Sequence, residues 1–342
     1  MAVFLGLDVH RAQITFDALD VDTGEVQTGR VRPANRDAFA RFLARFDGTD
    51  LVAAVEAMTG WRFVVVELQR VGAEVHLAEP AETSVKRGPK RRAKTDRLDA
   101  RLLRELLVER RLPEAWIAPA QILDLRARVR LRKALVDQRT EWLQRIHAVL
   151  FHHGVPTQAG RLGRLEGDHA REQLARFALP PVAQQQIQVA LAIIEHLNTR
   201  LHPLDLRLER DARRLHGCRA LMTHYGIGAK VATAIVAELG DPRRFSSSRQ
   251  AVRCAGLDVT VHESDVRRRG GRLSREGSPV LRWAAFEAAQ TAARPGSPDH
   301  GYYVELKARL GANRAALTIA RKMLRRAHHT LRALGDDALA PA

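Results

Sequence analysis

Val3-Phe4-Leu5-Gly6-Leu7-Asp8-Val9 is an apolar run closed by a carboxylate. It reads as a buried strand with an acidic end. Gln13 to Asp20 and Glu25 to Val31 continue as alternating strands, with a turn at Asp22-Thr23-Gly24. Asn35 to Phe46 has the spacing of an amphipathic helix, and Leu51-Val52-Ala53-Ala54-Val55-Glu56 is a second apolar strand that again closes on a carboxylate. Thr59 to Arg70 reads as a helix and Ala73 to Leu77 as a third short buried strand. Hairpin-linked strands followed by alternating helix and strand predict an α/β domain, a mixed sheet with helices on its faces. Sites in such sheets form at the carboxyl ends of parallel strands, where Asp8 and Glu56 both stand. If the two strands are neighbours, at roughly 4.8 Å, the two carboxylates meet.

A second acidic pair lies in Lys94-Thr95-Asp96-Arg97-Leu98-Asp99-Ala100-Arg101. Thr95 suits an N-cap, and the residues after it are good helix formers. Asp96 and Asp99 then share one face of the first turn, at the positive end of the helix dipole. Four carboxylates from three elements form a candidate divalent-cation site. Residues 84 to 94 are basic and rich in loop formers. They read either as a solvated loop or as a phosphate-holding one, through Lys90, Arg91, Arg92 and Lys94.

The 342 residues suffice for two or three domains, and 45% hydrophobic content supports a real core. Lys and Arg total 56 against 39 Asp and Glu, a net charge of +17 that points to nucleic acid as partner. The only cysteines are Cys218 and Cys254, too few for a disulfide framework or a zinc site. No apolar run approaches the ~20 residues of a membrane span. The N-terminal stretch lacks the basic segment of a signal peptide, so a cytoplasmic protein without a membrane is expected. The adjacent pairs His152-His153 and His328-His329 read as surface or phosphate-contacting residues.

Pro113 to Pro119 marks a boundary, giving a first domain over 1–115. Gln121 to Leu150 and a stretch beginning near Pro181 are long amphipathic helices joined by a Gly- and Pro-rich segment. They predict an antiparallel coiled coil over 116–215, as spacer or oligomer contact. A mostly helical domain is expected over 216–342. In it Tyr225-Gly226-Ile227-Gly228-Ala229-Lys230 resembles a helix-hairpin-helix, whose N–H groups bind phosphate at a helix N-terminus, with Gly226, Gly228 and Lys230 as the contacts. Residues 257–278 read as a polar loop whose Arg267, Arg268, Arg269 and Arg272 suit phosphate oxygens.

Gly6-Leu7-Asp8, Val55-Glu56-Ala57, Lys94 to Ala100, Gly226-Ile227-Gly228, Phe245 to Leu257 and Gly277 to Arg282 together resemble one family over nearly the whole chain. It is that of the insertion-sequence transposases with a DEDD active site, described as bridge-RNA-guided recombinases. The resemblance implies an RNase H-like (RuvC-like) first domain in which Asp8, Glu56, Asp96 and Asp99 are catalytic and hold Mg2+. It also implies a C-terminal serine nucleophile, matching Ser264 by its position after Ala255-Gly256-Leu257, with Ser274 and Ser278 as the neighbouring alternatives. Donor and target DNA, a structured guide RNA and a tetrameric assembly are the implied partners. A metal-dependent nuclease or resolvase using water instead of serine is the alternative.

Overall fold

The computed structural model describes residues 2–86, 95–155, 172, 174, 176–264 and 267–341, with 261–264 and 267–271 described as backbone. The basic residues Lys90, Arg91, Arg92 and Lys94 lie outside the described residues. The chain divides into two compact units, 1–117 and 118–342.

The first unit is built on a six-stranded sheet. Its strands are β1 (Ala2–Val9), β2 (Ile14–Asp20), β3 (Val26–Val31), β4 (Asp50–Glu56), β5 (Glu74–Ala78) and the short β6 (Glu114–Ala115), in the order β3-β2-β1-β4-β5-β6. β2 runs antiparallel to β1 and β3, β4 lies parallel to β1 and β5, and β6 is an antiparallel edge. The alternation of the central strands gives each face its own packing. Leu5, Leu7, Ala53, Val55, Ile14 and Phe16 form one core with Phe39, Phe42 and Leu43 of α1 (Arg36–Leu43) and Val64, Val65 and Leu68 of α2 (Trp61–Arg70). Phe4, Val52, Ala54 and Ala78 face the other way, onto Leu103 and Leu107 of a helix over Asp96–Val108. A short helix α3 (Pro80–Lys86), not expected from the sequence, precedes that helix, which is α4.

α4 lies directly on the sheet. A Cβ at Gly6 would stand 2.1 Å from the Ala100 carbonyl oxygen and 2.7 Å from the Arg104 nitrogen, both backbone atoms. Only glycine permits that approach. Across β2 from Gly6 stands Asp17. Its carboxylate accepts a hydrogen bond from Arg104 Nε at 2.5 Å, and both side chains are buried. Gly6 therefore lets the helix down, and the ion pair pins it there.

The second unit opens with α5 (Ala120–His152) and α6 (Pro181–Arg214), which continues through Pro203. Arg128 bonds Asp211, Arg132 Nε donates to Asp205 at 2.5 Å, and Arg139 donates to Asn198 at 3.1 Å. Rising numbers meet falling ones, so the pair is antiparallel, and Ile146 and Leu150 close it against Ile187 and Ala190. α7 (His216–Met222) and α8 (Ala229–Leu239) are joined by a short turn through Gly226 and Gly228, and α9 (Ser248–Cys254) follows. α10 (Pro279–Gln290), α11 (His300–Leu310) and α12 (Ala312–Leu334) complete the unit, α11 being unforeseen. No described helix is long and apolar enough to cross a membrane.

Two expectations are corrected. The stretch read as an Arg- and Gly-rich loop contains a β-hairpin, β7 (Val259–Ser264) against β8 (Arg267–Leu273). The β-branched run Val259-Thr260-Val261 favours extended backbone over a loop. His328 is 1% exposed against Phe245, whereas a surface position was expected for it. Adjacent residues on a helix point about 100° apart, and only His329 faces outward.

Gly6→Ala should force α4 off β1 and lower the unfolding free energy by about 3 kcal/mol or more, at the upper end of overpacking costs. Urea unfolding of the purified protein measures it, and an unchanged midpoint would remove this contact as the constraint.

Candidate metal centre

Sheet alternation decides which carboxylates meet. Gly6 faces α4, so Asp8, two residues on, faces the same side at the strand's end. Ala54 faces α4 as well, which puts Glu56 on that side at the end of β4. Leu7 pairs with Val55 in the parallel register, so Asp8 and Glu56 each lie one residue beyond a paired position. Thr95 adopts extended backbone and caps α4, its Oγ1 accepting from Leu98 N at 3.4 Å. That starts the helix at Asp96 and sends its first turn toward the strand ends.

The result is a cluster of Asp8, His10 and Asp96. One ligand atom from each lies within 4.8 Å of the others. His10 Nε2 is 3.2 Å from Asp8 Oδ2 and 3.5 Å from Asp96 Oδ1. Asp8 is only 5% exposed. Burial raises its pKa above the ordinary carboxylate value; His10 opposes that shift, and the charges of Asp99 and Asp96 add to it. Asp99 is thus an electrostatic neighbour of Asp8. Glu56 stands half-buried at the adjacent strand end. Neither Glu56 nor Asp99 joins the tight group of three. His10 was missed in the sequence. The available signal was its place two residues after Asp8, the spacing that keeps side chains on one side of extended backbone.

The donor set fits a divalent cation. Carboxylate oxygens suit Mg2+, Ca2+ and Mn2+, and one imidazole is compatible with the last. A further observation agrees. Thr15 is paired with Asp8 across β1 and β2 and shares the α4 side with Asp17. Its hydroxyl is buried and has no protein hydrogen-bond partner among the described residues. A buried orphan beside a buried carboxylate fits a place where a bound cation and its water would supply the missing partner.

The other predicted residues lie in the second unit. Ser264 closes β7, in register with Arg267; Glu263 pairs with Arg268 and His262 with Arg269. The hairpin's base is tied down by Ser274 Oγ donating to Asp258 Oδ1 at 2.5 Å and by Arg321 Nε donating to the Leu257 carbonyl at 2.6 Å. Ser278 caps α10, accepting from Leu281 N at 3.1 Å, and its hydroxyl donates to the buried Glu238 at 2.9 Å. Both alternative serines therefore have structural partners. Gly226 has φ +85°, and a Cβ there would meet Thr291 Oγ1 at 2.2 Å, so packing already requires this glycine. Gly228 is exposed and starts α8 without a side-chain cap. Lys230 Nζ is bonded to Asp205 at 2.6 Å. Arg272 is exposed.

Two segments of the chain match models of known protein families. Residues 5–153 match the model described as DEDD_Tnp_IS110, transposase, and residues 218–304 match the Transposase IS116/IS110/IS902 family. Two segments of the chain are thus similar to IS110-family transposases. The chain is similar to "Putative transposase y4rJ" of Sinorhizobium fredii, 29% identical over 326 residues, 84% of this chain and 80% of that protein. It is also similar to "Probable family 20 transposase" of Pseudomonas aeruginosa, 25% identical over 250 residues and 71% of each chain. The first matched segment contains all four acidic residues, and the second contains Gly226, Gly228, Ser264 and Arg267–Arg269.

Thr15→Val should stabilise the metal-free protein by about 1 kcal/mol, because it removes a buried hydroxyl that lacks a partner among the described residues. The same variant should bind Mn2+ more weakly. Melting curves in chelator and in Mn2+ read both effects, and a lower metal-free melting temperature would mean that the hydroxyl is satisfied without the cation.

Proposed function

We propose that this protein is an insertion-sequence transposase of the IS110 family, which cuts and rejoins DNA through a phosphoserine–DNA intermediate, with Ser264 as nucleophile and divalent cations, Mg2+ in the cell, held by Asp8, Glu56, Asp96 and Asp99. The observation that carries the metal half is the gathering of Asp8, His10 and Asp96 at the end of the central strand. His10 joins the set as a nitrogen donor. The cation, when bound, polarises the scissile phosphate and stabilises developing negative charge. Asp8 and Glu56 supply oxygens from two neighbouring strand ends, and Asp96 and Asp99 supply theirs from one helical turn.

Ser264 Oγ attacks phosphorus, and the bond to the departing deoxyribose oxygen breaks as the new Oγ–P bond forms. One ester replaces another, so the phosphodiester is conserved for rejoining. What supports Ser264 over Ser274 and Ser278 is that those two hydroxyls are engaged by Asp258 and Glu238. Arg267, Arg268, Arg269 and Arg272 follow in the same hairpin and would neutralise phosphate charge. Gly226, Gly228 and Lys230 at the α7–α8 hairpin, read as a helix-hairpin-helix, and Lys90, Arg91, Arg92 and Lys94 before α4 would hold the nucleic-acid backbone.

The strand order β3-β2-β1-β4-β5, antiparallel on one side of β1 and parallel on the other, supports an RNase H-like, RuvC-like reading of the first domain, 1–115. The antiparallel helix pair supports a coiled coil over 116–215, leaving 216–342 as the transposase domain with the serine. In this reading a structured bridge RNA pairs with donor and target DNA in the cytoplasm, and a tetramer assembles on them. The protein then need not read bases itself.

Asp8→Asn and Asp96→Asn should each lower DNA cleavage at least about a hundredfold, the scale on which loss of metal-ligand geometry acts. Ser264→Ala should retain DNA binding and lose the denaturant-resistant protein–DNA adduct. Mass spectrometry of the trapped, nuclease-digested adduct locates the phosphorylated residue. Efficient cleavage by Ser264→Ala without any adduct would make the enzyme a metal-dependent hydrolytic nuclease.

A further inference from the structure

Asp96 is held from behind. Gln13, which immediately precedes β2, donates from Nε2 to Asp96 Oδ2 at 3.0 Å. The carbonyl of the same amide accepts two hydrogen bonds from Arg32, from Nε at 2.9 Å and from a terminal guanidinium nitrogen at 2.5 Å. Arg32 follows β3 by one residue, so three elements converge on one amide. The chemistry fixes which way that amide points. A guanidinium donates only, so it must face the amide oxygen, and the NH2 group is left to face the carboxylate. The two oxygens of Asp96 are thereby given different tasks: Oδ2 belongs to Gln13, while Oδ1 is the oxygen facing His10, at 3.5 Å.

We propose that Gln13 and Arg32 are positioning residues of the metal centre: Arg32 locks the Gln13 amide, which holds Asp96 Oδ2 and presents Oδ1 alone to the cation. The proposal rests on the metal-bound reading above. Asp96 sits in the first turn of α4 and is half-exposed, so without the brace its carboxylate could rotate away or offer either oxygen. Partners that orient a ligating carboxylate contribute about 10- to 100-fold in metal affinity. The sign of the Arg32 effect separates a brace from simple electrostatics. A positive charge near a cation site weakens cation binding, so deleting it should strengthen binding. The brace predicts the reverse.

The test uses the full-length, nucleic-acid-free protein titrated with Mn2+, free ion being followed by electron paramagnetic resonance. Metal-free melting curves and circular dichroism verify the fold of each variant. Gln13→Ala should weaken Mn2+ binding about 10-fold or more. Arg32→Ala should weaken it in the same direction, Arg32→Lys should restore most of the affinity by donating to the same carbonyl, and the double alanine variant should be no weaker than Gln13→Ala alone. Unchanged affinity in Gln13→Ala overturns the proposal while leaving the metal centre standing. Tighter binding by Arg32→Ala, or losses that multiply in the double variant, removes Arg32 from the brace. Failure of the wild-type protein to bind Mn2+ overturns the metal centre and the brace together.

Discussion

The backbone of α4 rests on the backbone of β1 at Gly6, and the arrangement of the first unit follows from that contact. A helix normally stands off a sheet by the length of its interposed side chains. Here the missing Cβ brings Ala100 and Arg104 within van der Waals range of the strand itself. Such a short separation leaves no room for water, so the polar groups buried beside it must satisfy each other. Arg104 and Asp17 do so directly opposite Gly6. Removing either partner would leave a charge in a nearly dry layer, a loss of about 3–5 kcal/mol in comparable pairs. The ion pair thus contributes less as net attraction than as a penalty on any other helix position.

A helix fixed in height and register carries its first turn to a fixed place. That place is the carboxyl end of β1, where Asp8 has emerged on the same face. Burial of Asp8, the nearby charges of Asp96 and Asp99, and the orphaned Thr15 hydroxyl all disfavour the metal-free protein locally. Functional sites commonly hold such unfavourable local terms, offset by packing elsewhere. The offset here is the opposite face of the sheet, where Leu5, Leu7, Ala53 and Val55 pack against the apolar side chains of α1 and α2.

The second unit shows how little a count of basic residues says about where a polyanion binds. Arg128, Arg130 and Arg132 on α5 are bonded to Asp211, Glu238 and Asp205, and Arg326 and Lys322 to Asp299. These cations set the register of α5 against α6 and of the helices around α12. The net charge of +17 still produces a long-range field that favours polyanions. The residues that touch a polyanion must come from positions without an internal task. Lys230 illustrates the distinction: its place beside the Gly226–Gly228 turn suits phosphate, yet Asp205 holds its amine.

The strands, the helix starting after Thr95 and the two long helices were legible in the sequence because each rests on local rules: period-two alternation, an N-cap, a repeating apolar stripe. Asp8, Glu56, Asp96 and Asp99 were legible as candidates for the same reason, since strand ends and first turns are defined by the chain itself. The hairpin at 259–273 was read as a loop because glycine and arginine obscured three β-branched residues. Its pairing adds hydrogen bonds between segments that a local reading treats separately. The long-range relations were decided only in three dimensions. His10 joins the candidate metal-binding cluster because β1 ends where α4 begins. Gln13 and Arg32 converge on Asp96 from ends of two other strands. His328 is buried because Phe245 comes from an element about 80 residues earlier, a partner no local pattern encodes. Propensity and periodicity act over a few residues, whereas the site depends on which backbones approach closely enough to exclude water, and that was settled by a single missing Cβ at Gly6.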